Sequence, residues 1–71
     1  MSQSEPRSDL FTEALRRAQA EFREMPGLKL TEAQAARLLS FDRALCHDVL
    51  TALVDQHFLI QTRDTFQRAA R

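Results

Sequence analysis

One cysteine and two histidines are the side chains here whose chemistry could go beyond packing. Cys46 and His47 are adjacent, and His57 follows further along the chain. Neighbours on a helix point about 100° apart, so Cys46 and His47 cannot form a nucleophile–base pair there. Their spacing to His57 also departs from the roughly two to four residues that separate paired zinc ligands. We therefore predict a buried cysteine that packs as a small apolar side chain, two partly exposed histidines and no metal site.

Three aspartates are the other candidates for chemistry: Asp42, Asp48 and Asp55. A helix cap and a solvent-facing helix surface account for all three without a reaction. The sequence also contains no glycine-rich phosphate loop and no serine-centred elbow. We therefore predict no enzymatic activity, no catalytic residues, no cofactor and no small-molecule substrate.

Charge and composition narrow the class of protein further. The chain has 71 residues, with 10 basic and 10 acidic side chains and a formal net charge of zero. Domains that bind DNA by themselves usually carry excess positive charge, because phosphate neutralisation supplies much of their affinity. A single cysteine, no signal-peptide pattern and no apolar run near the roughly 20 residues that span a bilayer predict a cytoplasmic protein without membrane contact.

The apolar pattern of the first third predicts a helix over residues 9–24, which the Met25-Pro26-Gly27 turn ends. Residues 1–7 are polar and are predicted to be a disordered tail. Four apolar residues recur along this helix at spacings of three and four: Phe11, Leu15, Ala18 and Phe22. Such a stripe either covers the core of its own domain or forms a dimer interface. The core is the favoured interpretation, because only about two heptads are present.

Two further helices are predicted from their caps. Thr31 opens the second helix, because Thr31 and Gln34 match the capping-box pattern. Asp42 is a good cap for the third helix, which should run to about Gln56. His57 then occupies the position at which a glycine commonly closes a helix.

Strand signals surround these helices. Leu28-Lys29-Leu30 alternates like a short strand and needs a partner sheet. Residues 58–62 and 65–67 are rich in strand formers, and Arg63-Asp64 is a candidate two-residue turn between them. The predicted fold is a single domain over residues 8–71, mainly α with a small β-hairpin, in the order helix, short strand, helix, helix, hairpin.

The segment from Leu30 to Phe66 resembles a winged helix-turn-helix DNA-binding domain. It is also similar to small bacterial winged-helix proteins that stand alone. The residues that carry the resemblance are Leu30-Thr31, Gln34-Ala35-Ala36-Arg37-Leu38-Leu39, Ser40-Phe41-Asp42, Val49, Leu50, Ala52, Leu53 and Phe58-Leu59.

In that family the second helix of the motif enters the major groove of double-stranded DNA. The resemblance implies a DNA-binding or transcription-associated module. Its contacts would come from Arg43, Ala44, His47 and Thr51 on the helix, and from Arg63 and Arg68 in the wing. Arg43, at the helix start, would pair with guanine.

The charges of the same region favour a second function. The segment from Arg43 to Gln56 contains one arginine and two aspartates, Asp48 and Asp55, and the wing tip Arg63-Asp64 has no net charge. Asp48 would face phosphates in a docked complex, which costs free energy. The alternative is therefore a protein-interaction or homodimerisation module that has the winged-helix fold and binds no DNA. The sequence leaves both functions open.

Overall fold

Residues 6–69 form three helices and three strands. The computed structural model describes the backbone of residues 6–69 and the side chains of residues 10–69. The elements are α1 (Pro6–Glu24), β1 (Lys29–Thr31), α2 (Glu32–Leu39), α3 (Arg43–Asp55), β2 (Leu59–Thr62) and β3 (Thr65–Arg68). The predicted mainly helical fold with a small antiparallel sheet is confirmed.

The first helix begins earlier than the pattern indicated. α1 starts at Pro6, whereas a start at residue 9 was predicted. Proline suits this place, because its fixed backbone angle fits the first turn and its missing N–H would have no partner there. Of the predicted tail, residues 1–5 lie outside the described part of the chain, as do residues 70 and 71.

The two predicted helix caps are confirmed. Thr31 accepts a hydrogen bond from the backbone N–H of Gln34 at 3.1 Å, and the Gln34 side chain accepts one from the Thr31 N–H at 2.9 Å. Asp42 accepts from the N–H of Leu45 at 2.9 Å. These caps fix where α2 and α3 begin, and so place Glu32 in the first turn of one helix and Arg43 in the first turn of the other.

Both helices of this pair end in a left-handed residue other than glycine. Ser40 follows α2 with φ 60°, and His57 follows α3 with φ 64°. At each end the amide after the left-handed residue donates to a carbonyl five residues earlier, at 3.0 Å. This is the Schellman arrangement, which satisfies carbonyls that the helix leaves unpaired. The prediction that His57 stands at a glycine-like closing position is confirmed.

The sheet has the order β1-β3-β2, and both pairs are antiparallel. The cross-strand pair of Thr62 with Thr65 confirms the two-residue turn at Arg63-Asp64. β1 finds its partner in β3, where Leu30 lies opposite Phe66. The last of the three described strands is therefore the central strand of the sheet.

The core lies between the helices and one face of the sheet. Among residues 10–69 its twelve buried residues are Ala14, Ala18, Phe22, Ala35, Ala36, Leu39, Cys46, Val49, Leu50, Leu53, Leu59 and Phe66. Burial of each large side chain contributes about 1.5–3 kcal/mol. Across residues 6–69, no helix combines the length and the apolar character that a bilayer crossing requires.

Candidate interaction surface on the third helix

The side of α3 opposite the core is the candidate functional surface, and we call it the α3 face. It comprises Arg43, Ala44, His47, Asp48 and Thr51, all of which are exposed. Cys46, Val49, Leu50 and Leu53 occupy the buried side of the same helix. The structure thus brings together the four α3 residues that the winged-helix resemblance implied as DNA contacts.

One carboxylate from the neighbouring helix contacts both the guanidinium and the imidazole of the α3 face. Glu32 Oε1 lies 3.2 Å from His47 Nδ1, and Glu32 Oε2 lies 3.9 Å from Arg43 Nε. The side chains of Arg43 and His47 remain 70% and 64% exposed, so solvent still reaches them. Among residues 10–69 these are the ion pairs of the fold. Glu32 therefore offsets positive charge at the place where a reading helix would need it.

The remaining charges of this surface are acidic. Asp48 lies on the α3 face, and Asp55 is exposed at the end of the helix. The surface thus carries the carboxylates of Glu32, Asp48 and Asp55 against the guanidinium of Arg43 and the imidazole of His47. Surfaces that neutralise phosphates show the opposite balance, with clustered Lys and Arg.

The two arginines predicted in the wing lie in different environments. Arg63 is exposed in the turn at the hairpin tip, beside Asp64. Arg68 pairs with Leu59 on the inward side of the sheet, and its guanidinium carbon lies 4.4 Å from the centre of the Phe58 ring. Its Nε is buried and has no hydrogen-bond partner. The Arg68 side chain is therefore partly buried against Phe58, whereas Arg63 is exposed.

The apolar stripe predicted on the first helix belongs to the core. Ala18 and Phe22 are fully buried. Phe11 and Leu15 are half-buried and pack against the core cluster. Ala18 and Phe22 therefore belong to the core and offer no surface to a second copy, whereas Phe11 and Leu15 keep part of their surface exposed.

Cys46 lies beneath the α3 face. Its side chain is fully buried, as predicted, and Sγ donates to the backbone carbonyl of Glu32 at 3.7 Å. Burial raises the pKa of the Cys46 thiol, and the Glu32 carboxylate raises this pKa further, while Arg43 opposes the change. A thiol with a raised pKa is a poor nucleophile and a poor metal ligand at neutral pH. Among the described residues, His, Cys, Asp and Glu form no group of three suited to a metal ion.

Glu32 is the residue of this surface that sequence reasoning missed. It is far from Arg43 and His47 along the chain, so no helical spacing connects them. The available signal was its place directly after the Thr31 cap, because the first turn of α2 lies beside the first turns of α3 in this fold.

Comparison with known proteins found no matching family model, no matching curated protein and no matching solved structure.

Proposed function

We propose that this domain is a winged-helix module that binds a protein partner and does not use its α3 face to hold duplex DNA. The order of elements and the antiparallel sheet support the winged-helix assignment. The position of Glu32 against Arg43 and His47 carries the functional part of the proposal. No catalytic role, cofactor or small-molecule substrate is proposed.

The argument against DNA is electrostatic. Duplex DNA carries one negative charge per about 1.7 Å of its axis, and Lys and Arg contacts to phosphates supply most of its non-specific affinity. A docked α3 would bring Glu32 and Asp48 towards that charge. Arg43, the cation of this face that would attract phosphate, already faces the Glu32 carboxylate, as does the imidazole of His47. Repulsion and lost pairing both disfavour such a complex.

The test is a titration of a fluorescent 20-base-pair duplex at low salt. We expect no binding tighter than about 10⁻⁴ M, the weak limit of ordinary non-specific affinity. Micromolar binding that weakens steeply as salt is added would contradict the proposal. The oligomeric state should be recorded in the same samples by light scattering.

Two double variants test whether the carboxylates beside and on the α3 face are what lowers the affinity for duplex DNA. Glu32→Gln combined with Asp48→Asn removes both carboxylates from the surface and should tighten duplex binding at least about tenfold over wild type. The matched control, Glu21→Gln with Glu24→Gln, makes the same change in net charge on α1. Equal duplex affinity for the two double variants would show that overall charge, and not the α3 face, decides binding.

DNA binding is retained as the second candidate because of one observation. Arg43 stands in the first turn of α3 with its side chain 70% exposed. Reading helices contact base edges from their N-terminal residues. If the duplex titration shows salt-dependent binding, Arg43→Ala should abolish most of it, whereas Arg37→Ala on α2 should change it less than twofold.

A further inference from the structure

The N-terminal part of α1 and the start of α3 enclose an apolar groove, which we call the α1–α3 groove. Two adjoining clefts of about 290 Å³ and 360 Å³ share Leu10 and Leu45. Phe11 borders one cleft and Phe41 the other. Leu10 is 63% exposed, the largest exposed fraction among the large apolar side chains of residues 10–69. An apolar patch with a polar border is typical of an interaction site.

The border of this groove is mainly acidic. Asp42 and Asp48 line one cleft, and Glu13 lines the other. Among the described residues the basic member of the border is Arg17, whose guanidinium carbon lies 6.0 Å from the centre of the Phe41 ring. Opposite charges across an interface select partners and speed association. The border therefore favours a basic partner over an acidic one.

From this combination we propose that the α1–α3 groove binds a basic amphipathic helix of a partner protein. An apolar side chain of that helix fills the space beside Leu10, Phe11 and Leu45, and flanking Lys or Arg residues meet Asp42 and Asp48. This is the helix-in-groove mode of recognition. The inference rests on the proposed function, because it names the surface and the partner of that protein-binding role.

The test uses two labelled peptides of about 15 residues with leucines at helical spacing, one with lysines and one with glutamates at all other positions. Fluorescence anisotropy should give the lysine peptide at least about tenfold higher affinity than the glutamate peptide. Amide chemical-shift changes should centre on residues 10–17 and 41–48. Equal affinities, or shifts centred elsewhere, would overturn the proposal.

Single-residue variants distinguish peptide binding in the α1–α3 groove from non-specific binding to other exposed apolar side chains. Leu10→Lys should lower the affinity for the lysine peptide at least about tenfold, since it places a like charge in the groove. Leu38→Lys alters another exposed leucine, on α2, and should change the affinity less than about twofold. Asp48→Asn should reduce the preference for the lysine peptide.

The duplex titration, the peptide titration and the light-scattering measurement together show which proposal has failed. If neither the duplex nor the lysine peptide binds, the groove inference fails while the proposal of a protein partner stands. If the duplex binds with steep salt dependence, the proposed function fails first. Concentration-dependent dimerisation that Leu10→Lys abolishes would also overturn the inference, because the occupant would then be a second copy of this chain.

Discussion

At the scale of single residues, Cys46 links the core to the α3 face. Its thiol is fully buried and donates to the backbone carbonyl of Glu32. Glu32 in turn contacts Arg43 and His47 with its carboxylate. Ionisation of the thiol would place a negative charge in the core and beside an acidic side chain. The native fold therefore holds the Cys46 proton more tightly than the unfolded chain does.

This difference predicts how stability depends on pH. The native pKa of Cys46 lies above its ordinary value of 9.0, so the free energy of unfolding should keep this contribution below pH 9 and lose it as the pH rises from 9 through the raised native pKa. Urea denaturation of wild type and Cys46→Ala at several alkaline pH values checks it. The wild-type free energy should fall more steeply than that of the variant. Parallel curves would contradict the raised pKa.

The residues of the α3 face differ in how far sequence alone could predict them. Ala44 and Thr51 follow from helical period, because the buried positions of α3 fix its opposite side. The pairing of Glu32 with Arg43 and His47 could not be predicted in this way, since it depends on how α2 packs against α3. Arg68 was predictable in principle, because alternate residues of a strand share a face and Arg68 is two positions from the buried Phe66.

At the scale of elements, the ends of α2 and α3 carry local strain. Ser40 and His57 adopt left-handed backbone conformations in a chain that has a single glycine, Gly27. Such a conformation costs a residue with a Cβ atom about 1–2 kcal/mol. Ser40 lies in the turn between α2 and α3, and His57 lies between α3 and β2. The packing of these elements against one another holds both residues in the left-handed conformation.

Glycine at position 57 should therefore stabilise the domain. His57→Gly removes the steric cost but adds chain entropy to the unfolded state, so we expect a net gain of about 0.5–1 kcal/mol in the free energy of unfolding. His57 is exposed and leaves no cavity when replaced. The matched control is Gln56→Gly, at φ −84°, where urea denaturation should show a loss instead. A loss in both variants would mean that position 57 is unstrained.

The elements themselves were largely predictable, because their signals are local. Thr31, Asp42 and the Arg63-Asp64 turn act through hydrogen bonds and dihedral angles within a few residues. The start at Pro6 was missed although proline favours the first helical turn. The partner of β1 was unpredictable from local pattern, since three residues do not specify which strand they join.

At the scale of the whole molecule, few large side chains hold the fold. The largest fully buried ones are Phe22, Leu39, Leu50, Leu53, Leu59, Val49 and Cys46. Domains of this size are marginally stable, at about 0.05–0.15 kcal/mol per residue. Stability is thus comparable to the contribution of a few core residues. The formal net charge of zero is also a property of the whole molecule, and it supports the proposal that the α3 face does not bind phosphates.

Phe66 tests this dependence on a small core. It is 6% exposed in β3 and lies opposite Leu30, so Phe66→Ala should cost about 3–5 kcal/mol. At about 4–8 °C per kcal/mol, the midpoint of thermal unfolding should fall by more than about 12 °C. Phe66→Leu, which keeps most of the volume, should lose roughly half as much or less. Circular dichroism measures both, and a small shift for Phe66→Ala would place the core elsewhere.

The strand order has a consequence for how the domain is made. The ribosome delivers the chain from its N-terminus, at about 5–20 residues per second. Within residues 6–69, β3 is the last element in chain order but the middle strand of the sheet, and it contributes Phe66 to the core. The nascent helices can form early, yet β1 and β2 have no neighbour to pair with until residues 65–68 have emerged. Folding is therefore completed only after nearly the whole domain has left the exit tunnel.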